Sequence, residues 1–465
     1  MPSFNRREFV KGTTFATAAL AMGGCSTIAS FPVFLPVAPR FRKPDEKLNI
    51  GVVGVGGKGW SNWEPMFSMG ENIVAMCDVD QGALEKGLAV VKGRCPDVKA
   101  FSDYRKMLAE CNNLDAVLVS TPDHTHAPAA IRAMKKGCHV YVEKPLVRTI
   151  WDARYFERVA KANGVVTQMG NQGSASDGLR RSVEILHANV LGSVKEVHVW
   201  TNRPIWPQGM PRPEGSDPVP ESLNWDAWLG TAPERPYKKD TYHNFKWRGF
   251  FDFGTGAFGD MACHTMNLPF RGLKLGKVTH AVCMKIEGTS KDAYPSKSIV
   301  KLTYAARESL PAVNLFWYDG NLKPSAELMP QVIATLGAVP NTGCLIIGDK
   351  GMLVSTNDYG ADSYIAFTGE PRMKAILKSD AFKDIPQVIP RCKRGHHGEF
   401  VDACKGIGTC YSDVDLSVPM LESMLVGCIA QQVPGELLWN SRAMTFNNPA
   451  ADALVKPFIR PGWEY

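Results

Sequence analysis

Two α/β domains, one on a doubly wound parallel sheet and one on a mainly antiparallel open sheet, are the fold class that three features of this 465-residue chain predict. A short apolar run, Leu48 to Val53, ends directly in the turn Gly54-Val55-Gly56-Gly57-Lys58-Gly59, a G-x-G-x-x-G pattern. Apolar strand-like runs then alternate with helical stretches as far as about residue 168. Beyond that point the pattern changes to strand-like runs separated by long loops and few helices.

A strand that runs into such a turn is a dinucleotide cradle. Gly54 permits the tight turn, Gly56 lets the backbone approach a pyrophosphate, and Gly59 lets the following helix pack closely on the strand. That helix aims free N–H groups and the positive end of its dipole at the phosphates. Gly57 and Lys58 belong to the same turn, with Lys58 near the pyrophosphate. A second apolar strand, Ile73 to Cys77, ends in Asp78, nineteen residues beyond Gly59. An acid there accepts hydrogen bonds from the adenosine ribose hydroxyls and repels a 2′-phosphate, which favours NAD over NADP. The bland alternative, a glycine-rich turn with an unrelated acid, does not account for strand, spacing and acid together.

The remaining elements of this first unit follow in order. Gln81 to Gly93 and Phe101 to Glu110 have helical composition, and Ala116 to Ser120 is a strand that runs into Thr121-Pro122-Asp123-His124-Thr125-His126. A helix is expected over Pro128 to Lys136, followed by the strand His139 to Val142 and then Glu143-Lys144-Pro145. Val165 to Gln172, which includes Asn171, reads as the last strand and the crossing to the second domain. Strands alternating with helices imply right-handed crossovers and a parallel sheet. Ligands bind such sheets beyond the carboxyl ends of the strands. Gly54, Asp78, Thr121, Glu143 and Lys144 all fall there.

The N-terminus reads as an export signal over residues 1–30. Asn5-Arg6-Arg7-Glu8-Phe9-Val10-Lys11 has the form of a twin-arginine motif, and Gly12 to Gly24 is a small-residue, mildly apolar stretch too short for a comfortable membrane span. Cys25 follows Met22-Gly23-Gly24, an imperfect lipoprotein cleavage site, so a lipid anchor at Cys25 is an open alternative. Residues 31–46, with prolines at 32, 36, 39 and 44, read as a linker. The expected location is periplasmic or otherwise exported, with the twin-arginine translocase as a partner during transport. That route carries folded proteins, and no exchangeable NAD pool is expected outside the cytoplasm. The expectation is a cofactor that stays bound and is recycled in place.

Composition excludes other classes. The chain is 45% hydrophobic and 21% charged, long enough for two substantial cores, here 47–168 and 169–465. The net charge of +7 owes several of its positives to the leader, and no basic run interleaved with aromatics follows, so nucleic acid is not an expected partner. None of the twelve cysteines forms a C-x-x-C pair, and neither a metal site nor a disulfide framework is expected. His396-His397-Gly398-Glu399 reads as the start of a helix.

In the second half, Val194 to Trp200, Val278 to Cys283 and Ser298 to Tyr304 read as strands of a sheet with one covered face. Gly254-Thr255-Gly256-Ala257-Phe258-Gly259-Asp260-Met261-Ala262-Cys263-His264 places Asp260 and His264 four residues apart, on one face of a helix. Spacing alone suits a capping Asp and a satisfied His. Trp206, His243, Trp247 and Arg248 lie in a long loop region before this segment. Aromatic faces stack on sugar C–H surfaces and Arg and His bind hydroxyls, although for any single tryptophan packing of the loop onto the sheet is the favoured reading.

Together, Gly54-x-Gly56-x-x-Gly59, Asp78, Ser120-Thr121-Pro122 with His126, and Glu143-Lys144-Pro145 resemble the Gfo/Idh/MocA oxidoreductase superfamily, from about residue 47 to the C-terminus. The resemblance implies a Rossmann domain followed by an α/β sheet domain that often forms subunit interfaces, hence a homo-oligomer. It implies that Lys144 lies beside the nicotinamide and a substrate hydroxyl, with Asp123, His126, Glu143 and Asn171 lining the cofactor. It also places Asp260 and His264 in the active site, as in inositol-dehydrogenase-like members. The resulting expectation is oxidation of a secondary hydroxyl of a sugar, with His264 as general base, Asp260 orienting it and Lys144 steadying alkoxide charge; Lys144 is the alternative base. Two other readings stay open: a redox-neutral NAD-dependent glycosidase, and a non-catalytic sugar-binding protein.

Overall fold

The structure, a computed structural model, describes residues 30–465. The twin-arginine motif and Cys25, the candidate lipid-attachment site, lie outside the described residues.

Six strands, β1 (Asn49–Val53), β2 (Asn72–Cys77), β3 (Lys99–Phe101), β4 (Ala116–Val119), β5 (His139–Val142) and β6 (Thr167–Met169), form a parallel sheet in the order β3-β2-β1-β4-β5-β6. This is the doubly wound order, which reverses direction between β1 and β4 and opens a crevice at their carboxyl ends. Side chains alternate across it. Ile50, Val52, Ile73, Met76 and Leu118 join α1 (Lys58–Ser68) and α2 (Gln81–Val91) in one core. Val53, Val117, Val119, Val140 and Val142 join α3 (Tyr104–Glu110), α4 (Asp123–Lys135) and α5 (Ile150–Asn163) in another.

Two helix boundaries differ from the sequence reading. Phe101 belongs to the edge strand β3, and α3 begins only at Tyr104, where the Asp103 carboxylate accepts from the Arg105 amide at 2.8 Å. The helix expected from Pro128 begins instead at Asp123, so Thr125 and His126 are helical. Pro128 lacks the amide that would reach the His124 carbonyl; that carbonyl accepts from the Thr231 hydroxyl at 3.2 Å, which makes the proline tolerable inside α4.

The second sheet has ten strands: β7 (Val194–Trp200), β8 (Val278–Glu287), β9 (Lys297–Tyr304), β10 (Val313–Tyr318), β11 (Gly343–Gly348), β12 (Gly351–Ser355), β13 (Ser363–Phe367), β14 (Lys374–Ala375), β15 (Glu436–Asn440) and β16 (Thr445–Phe446). Only β7 and β10 pair in parallel; the other neighbours are antiparallel. The helices of this half are α6 (Asp177–His187), α7 (Trp225–Leu229), α8 (Gly256–Thr265), α9 (Asn267–Gly272), α10 (Pro330–Leu336), α11 (Gly395–Cys404), α12 (Val414–Ala430) and the short α13 (Pro449–Asp452). Val197, Val300, Leu315 and Trp317 face a core shared with α6, α8 and α12, while Trp200, Tyr318 and Leu345 face a smaller core under α10.

The two sequence units are more interwoven than a cut at residue 168 suggests. Helix α11 returns to the first sheet, where Phe400, Val401 and Cys404 close the core made with α1 and α2 and Tyr141 packs edge-on against Phe400. At the same junction the Val414 amide donates to the Thr167 hydroxyl at 2.9 Å, and the Met169 amide donates to the Ser412 carbonyl at 3.0 Å. The proline-rich stretch 31–46 is likewise laid on the first domain. Phe31 stacks on Tyr155 at 5.6 Å, the Val37 amide donates to Asn163 Oδ1, and Arg42 pairs with buried Asp115 at 2.9 Å.

Because α11 supplies one wall of the first core, Phe400→Ala should destabilise the nucleotide-binding half by about 3–5 kcal/mol. Urea unfolding followed by far-UV circular dichroism checks this. An unchanged midpoint would mean that α11 is an ornament on an already complete core.

Candidate active site

The turn after β1 is shaped by steric necessity at two glycines. Gly54 has φ +86°, and a Cβ there would sit 2.6 Å from the Ser120 carbonyl oxygen. A Cβ on Gly59 would sit 1.9 Å from the Gly54 carbonyl oxygen, so only glycine lets α1 approach β1 this closely. Gly56, Gly57 and Lys58 line one side of a cavity of about 350 Å³ at the carboxyl edge of the first sheet. Asp78 lies at the end of β2, where its Oδ2 accepts from the Val55 amide at 2.7 Å and the Gly56 amide at 3.1 Å. Burial raises its carboxyl above the usual range, and these amides and that of Asp80 oppose the rise. The carboxylate thus braces the turn as well as facing the cavity.

The groove fits a dinucleotide on its own geometry. Amide-rich backbone lies at one wall, an acid sits where a ribose would meet it, and Ser102 and Tyr104 extend the lining past Asp78. The second domain closes the opposite side. The Gln81 amide donates to the Ser222 carbonyl and the Asn224 amide to the Val79 carbonyl, both at 2.9 Å, so the chain from Ser222 is stitched to the rim. From this strap Trp228, His243, Trp247 and Arg248 line the cavity, and His243 Nε2 lies 3.8 Å from Asp80 Oδ2.

At the far end the two domains meet in an ion pair. Lys144 follows β5 and Asp260 lies on α8, and Lys144 Nζ donates to Asp260 Oδ1 at 2.6 Å. Arg248 Nε donates to the same oxygen at 3.2 Å. Burial works against both charges of the pair, yet the mutual attraction prevails: the Lys144 ammonium is held above its usual range and the Asp260 carboxylate below its own. Both stay charged at neutral pH.

His264, one turn on from Asp260, is buried with its Nδ1 unpartnered among the described residues. Burial and then the Lys144 charge lower it to about 3, so the ring is neutral at physiological pH. It meets the edge of Tyr359 at 5.3 Å and does not line the main cavity. The near-neutral titration expected from a free imidazole therefore does not hold here, because the site is too dry and too positive.

Four other expected residues sit behind the cavity wall. Asp123 is buried, its Oδ2 accepts from the Thr255 hydroxyl at 2.8 Å, and burial pushes its carboxyl up to about 7. His126 Nε2 contacts the Thr121 carbonyl at 2.8 Å, and burial lowers it to about 4. Asn171 donates to the Cys263 carbonyl at 3.3 Å. Trp206 donates to Gln208 Oε1 at 2.9 Å inside its loop. These hydrogen bonds position the cavity wall; Thr121 and Glu143 are the neighbours that reach it.

The structure adds residues that motif reading passed over. Asn62 on α1 donates to Glu143 Oε1 at 3.0 Å and to Ser120 Oγ at 2.9 Å, and His397 Nε2 meets its Oδ1 at 3.1 Å. Lys58 lies 3.6 Å from Glu143. Tyr359 comes from the loop after β12. Asn62 had a faint signal in its place on the phosphate-binding helix; Tyr359 had none.

Comparison with known proteins agrees with this arrangement. Residues 48–171 match the profile of the GFO_IDH_MocA oxidoreductase family, NAD-binding Rossmann fold, and residues 202–309 match its C-terminal α/β domain. A glycosyl hydrolase family 109 protein of Shewanella baltica is 30% identical over 167 residues, and an α-N-acetylgalactosaminidase of Shewanella oneidensis is 29% identical over 167 residues. The alignments take in 32% of this chain and 35% of each relative, so the chain spans about a third of the length of the curated relatives it matches. Among solved structures, the WlbA dehydrogenase from Bordetella pertussis in complex with NADH and UDP-GlcNAcA superposes with a TM-score of 0.59 at 16% identity, over 85% of this chain and 99% of that one. An inositol dehydrogenase homolog from Azotobacter vinelandii, complexed with NADH and myo-inositol, gives 0.57 at 16%, over 87% and 100%. At these identities the likeness is one of fold.

Two outcomes follow from the geometry. Gly54→Ala should abolish nucleotide binding and lower the thermal midpoint, since its Cβ has no room and its φ is unfavourable; fluorescence titration with NADH checks the first and a melting curve the second. The buried histidines 124, 264 and 396, each lowered to about 3 chiefly by burial, remain neutral in the folded protein but take up protons when unfolded below about pH 6.5. Their contribution to stability is complete above pH 6.5 and is lost as the pH falls from there toward 3. The urea midpoint should drop between pH 7 and pH 5, and a flat midpoint would refute the buried-neutral assignment.

Proposed function

The chain belongs to the Gfo/Idh/MocA oxidoreductase family, and from that premise we propose that it is an NAD-containing enzyme acting on a secondary hydroxyl of a sugar or sugar derivative. The Lys144–Asp260 ion pair at the cavity end carries this reading, because it joins a charged donor from one domain to a carboxylate from the other beside the dinucleotide groove. NAD, when bound, supplies a hydride acceptor for the carbinol carbon. Gly56, Gly57 and Lys58 would hold its pyrophosphate and Asp78 its ribose, and the Asp78 charge disfavours a 2′-phosphate.

The protein's own groups divide the remaining work. Asp260 holds the Lys144 ammonium in place, and that ammonium donates to the hydroxyl oxygen as negative charge develops. An ammonium cannot accept the departing proton. Neutral His264 is the acceptor in our reading, through Nε2 rather than the buried Nδ1, with Tyr359 packed against the ring. The strap from Ser222 to Arg248 walls one side of the groove, and in our reading slows exchange of the nucleotide. That supports a cofactor retained through successive turnovers, as an exported enzyme requires. Exposed Met284, Ile286 and Leu438 on the outer edge of the second sheet support a homo-oligomer through that sheet.

The family 109 relatives favour a second reading, in which the same machinery serves elimination of an aglycone followed by hydration, with no net redox change. The two readings separate on protein purified without added nucleotide. Denaturation should release NAD in near-stoichiometric amount. A free sugar that reduces it without aglycone release establishes the oxidoreductase, whereas aglycone release from an aryl glycoside without net reduction establishes the glycosidase.

Lys144→Ala should lower kcat by about 10²–10³-fold, the loss expected for one donor to a developing oxyanion. The wild-type kcat/KM profile should show no limb near pH 6.5, since His264 stays neutral there. A limb between pH 7 and 9 that persists in His264→Gln would assign the base to Lys144 instead.

A further inference from the structure

The charges at the catalytic end of the cavity do not balance among themselves. Lys58 and Glu143 face each other at 3.6 Å. Asp260 alone answers two cations, Lys144 at 2.6 Å and Arg248 at 3.2 Å, through the same oxygen. His264 is neutral, and Asp123, raised to about 7 by burial and bonded to the Thr255 hydroxyl, is at most about half ionised. Asp260 and a partly ionised Asp123 leave these two cations incompletely balanced, on a wall that already awaits an oxidised nicotinamide.

The surplus is presented by Arg248 in a defined way. Its guanidinium is flanked by the rings of Phe245 at 4.3 Å and Trp247 at 4.4 Å. Nε donates to Asp260 and Nη1 to the Phe245 carbonyl at 2.9 Å, while Nη2 has no acceptor among the described residues. The side chain is 18% exposed and lines the cavity. A guanidinium packed beside two rings and bonded through Nε and Nη1 has little freedom left to lose, and its free Nη2 can donate one charge-assisted bond to a carboxylate oxygen.

We propose that Arg248 selects a substrate carrying a carboxylate, so that the sugar taken by this site is a hexuronic acid or its glycoside rather than a neutral hexose. This rests on the sugar-oxidoreductase reading above and narrows it to one chemical class. The carboxylate completes the charge balance around Asp260. It also fixes the ring so that a neighbouring hydroxyl meets the Lys144 ammonium.

The test begins with binding, which does not depend on turnover. Calorimetry on the NAD-loaded protein would compare methyl glucuronide and methyl galacturonide with methyl glucoside and methyl galactoside. The uronides should bind at least about tenfold more tightly, as one charge-assisted pair implies. Arg248→Gln should weaken uronide binding at least about tenfold more than binding of the neutral glycosides, and Arg248→Lys should restore part of that difference. In turnover the loss should fall on KM for the uronides. Equal binding of acid and neutral sugars by the wild type overturns the proposal. So does a variant that weakens both classes alike, which would make Arg248 a brace for Asp260, or one that loses NAD, which would make it a cofactor ligand. Preferential turnover of neutral sugars would sink the proposal and leave the oxidoreductase intact. Tight uronide binding without NAD reduction or aglycone release would support Arg248 and sink the enzymatic reading.

Discussion

The buried ion pair between Lys144 and Asp260 is the constraint around which the rest of the structure is arranged. Two opposite charges removed from water are tolerable only when they meet in good geometry, and loss of one partner leaves the other uncompensated. Lys144 is delivered by the end of β5 and Asp260 by the second turn of α8, so the pair demands that two domains with separate sheets dock in one relative position. Interdomain hydrogen bonds converge on that docking. Thr255, at the start of α8, donates to Asp123 on α4, and Asn171 donates to the Cys263 carbonyl on α8. Residues that sequence motifs place near a cofactor therefore act here as the frame that holds the charged pair.

Much of the first domain was legible in the chain. Strand, turn and acid around Gly54 and Asp78 are local in sequence, and their chemistry depends only on neighbours a few residues away. The ends of β4 and β5 were legible for the same reason. The helix boundaries misread at Phe101 and Pro128 show where local reasoning stops. An edge strand of three residues carries almost no periodic signal, and a proline inside α4 is acceptable only because Thr231, over a hundred residues later, satisfies the freed carbonyl.

The second domain was read in outline, and its site residues divide by how they are supported. Asp260 and His264 share one helix face, so their juxtaposition followed from spacing once a helix was assumed. Their protonation did not. Asp260 is held ionised and His264 neutral by burial and by Lys144, a residue more than a hundred positions earlier. Asn62, His397 and Tyr359 come from three distant stretches and meet the site only through tertiary packing. The return of α11 to the first core is of the same kind: nothing near Phe400 in sequence says which sheet it will cover.

A single environment thus produces opposite outcomes for groups one helical turn apart. The dry wall that lowers His264 toward neutrality also strengthens the attraction that keeps Lys144 and Asp260 charged, because both effects grow as water is excluded. Titratable groups driven apart in this way are what proton transfer at constant pH requires: one group fixed as a donor and another fixed as an acceptor. The arrangement works only while the cavity stays closed. The strap that stitches Ser222 and Asn224 to the rim of the first sheet therefore bears on the electrostatics of the site. Opening it would screen Lys144 from Asp260 and weaken the attraction that keeps both charged.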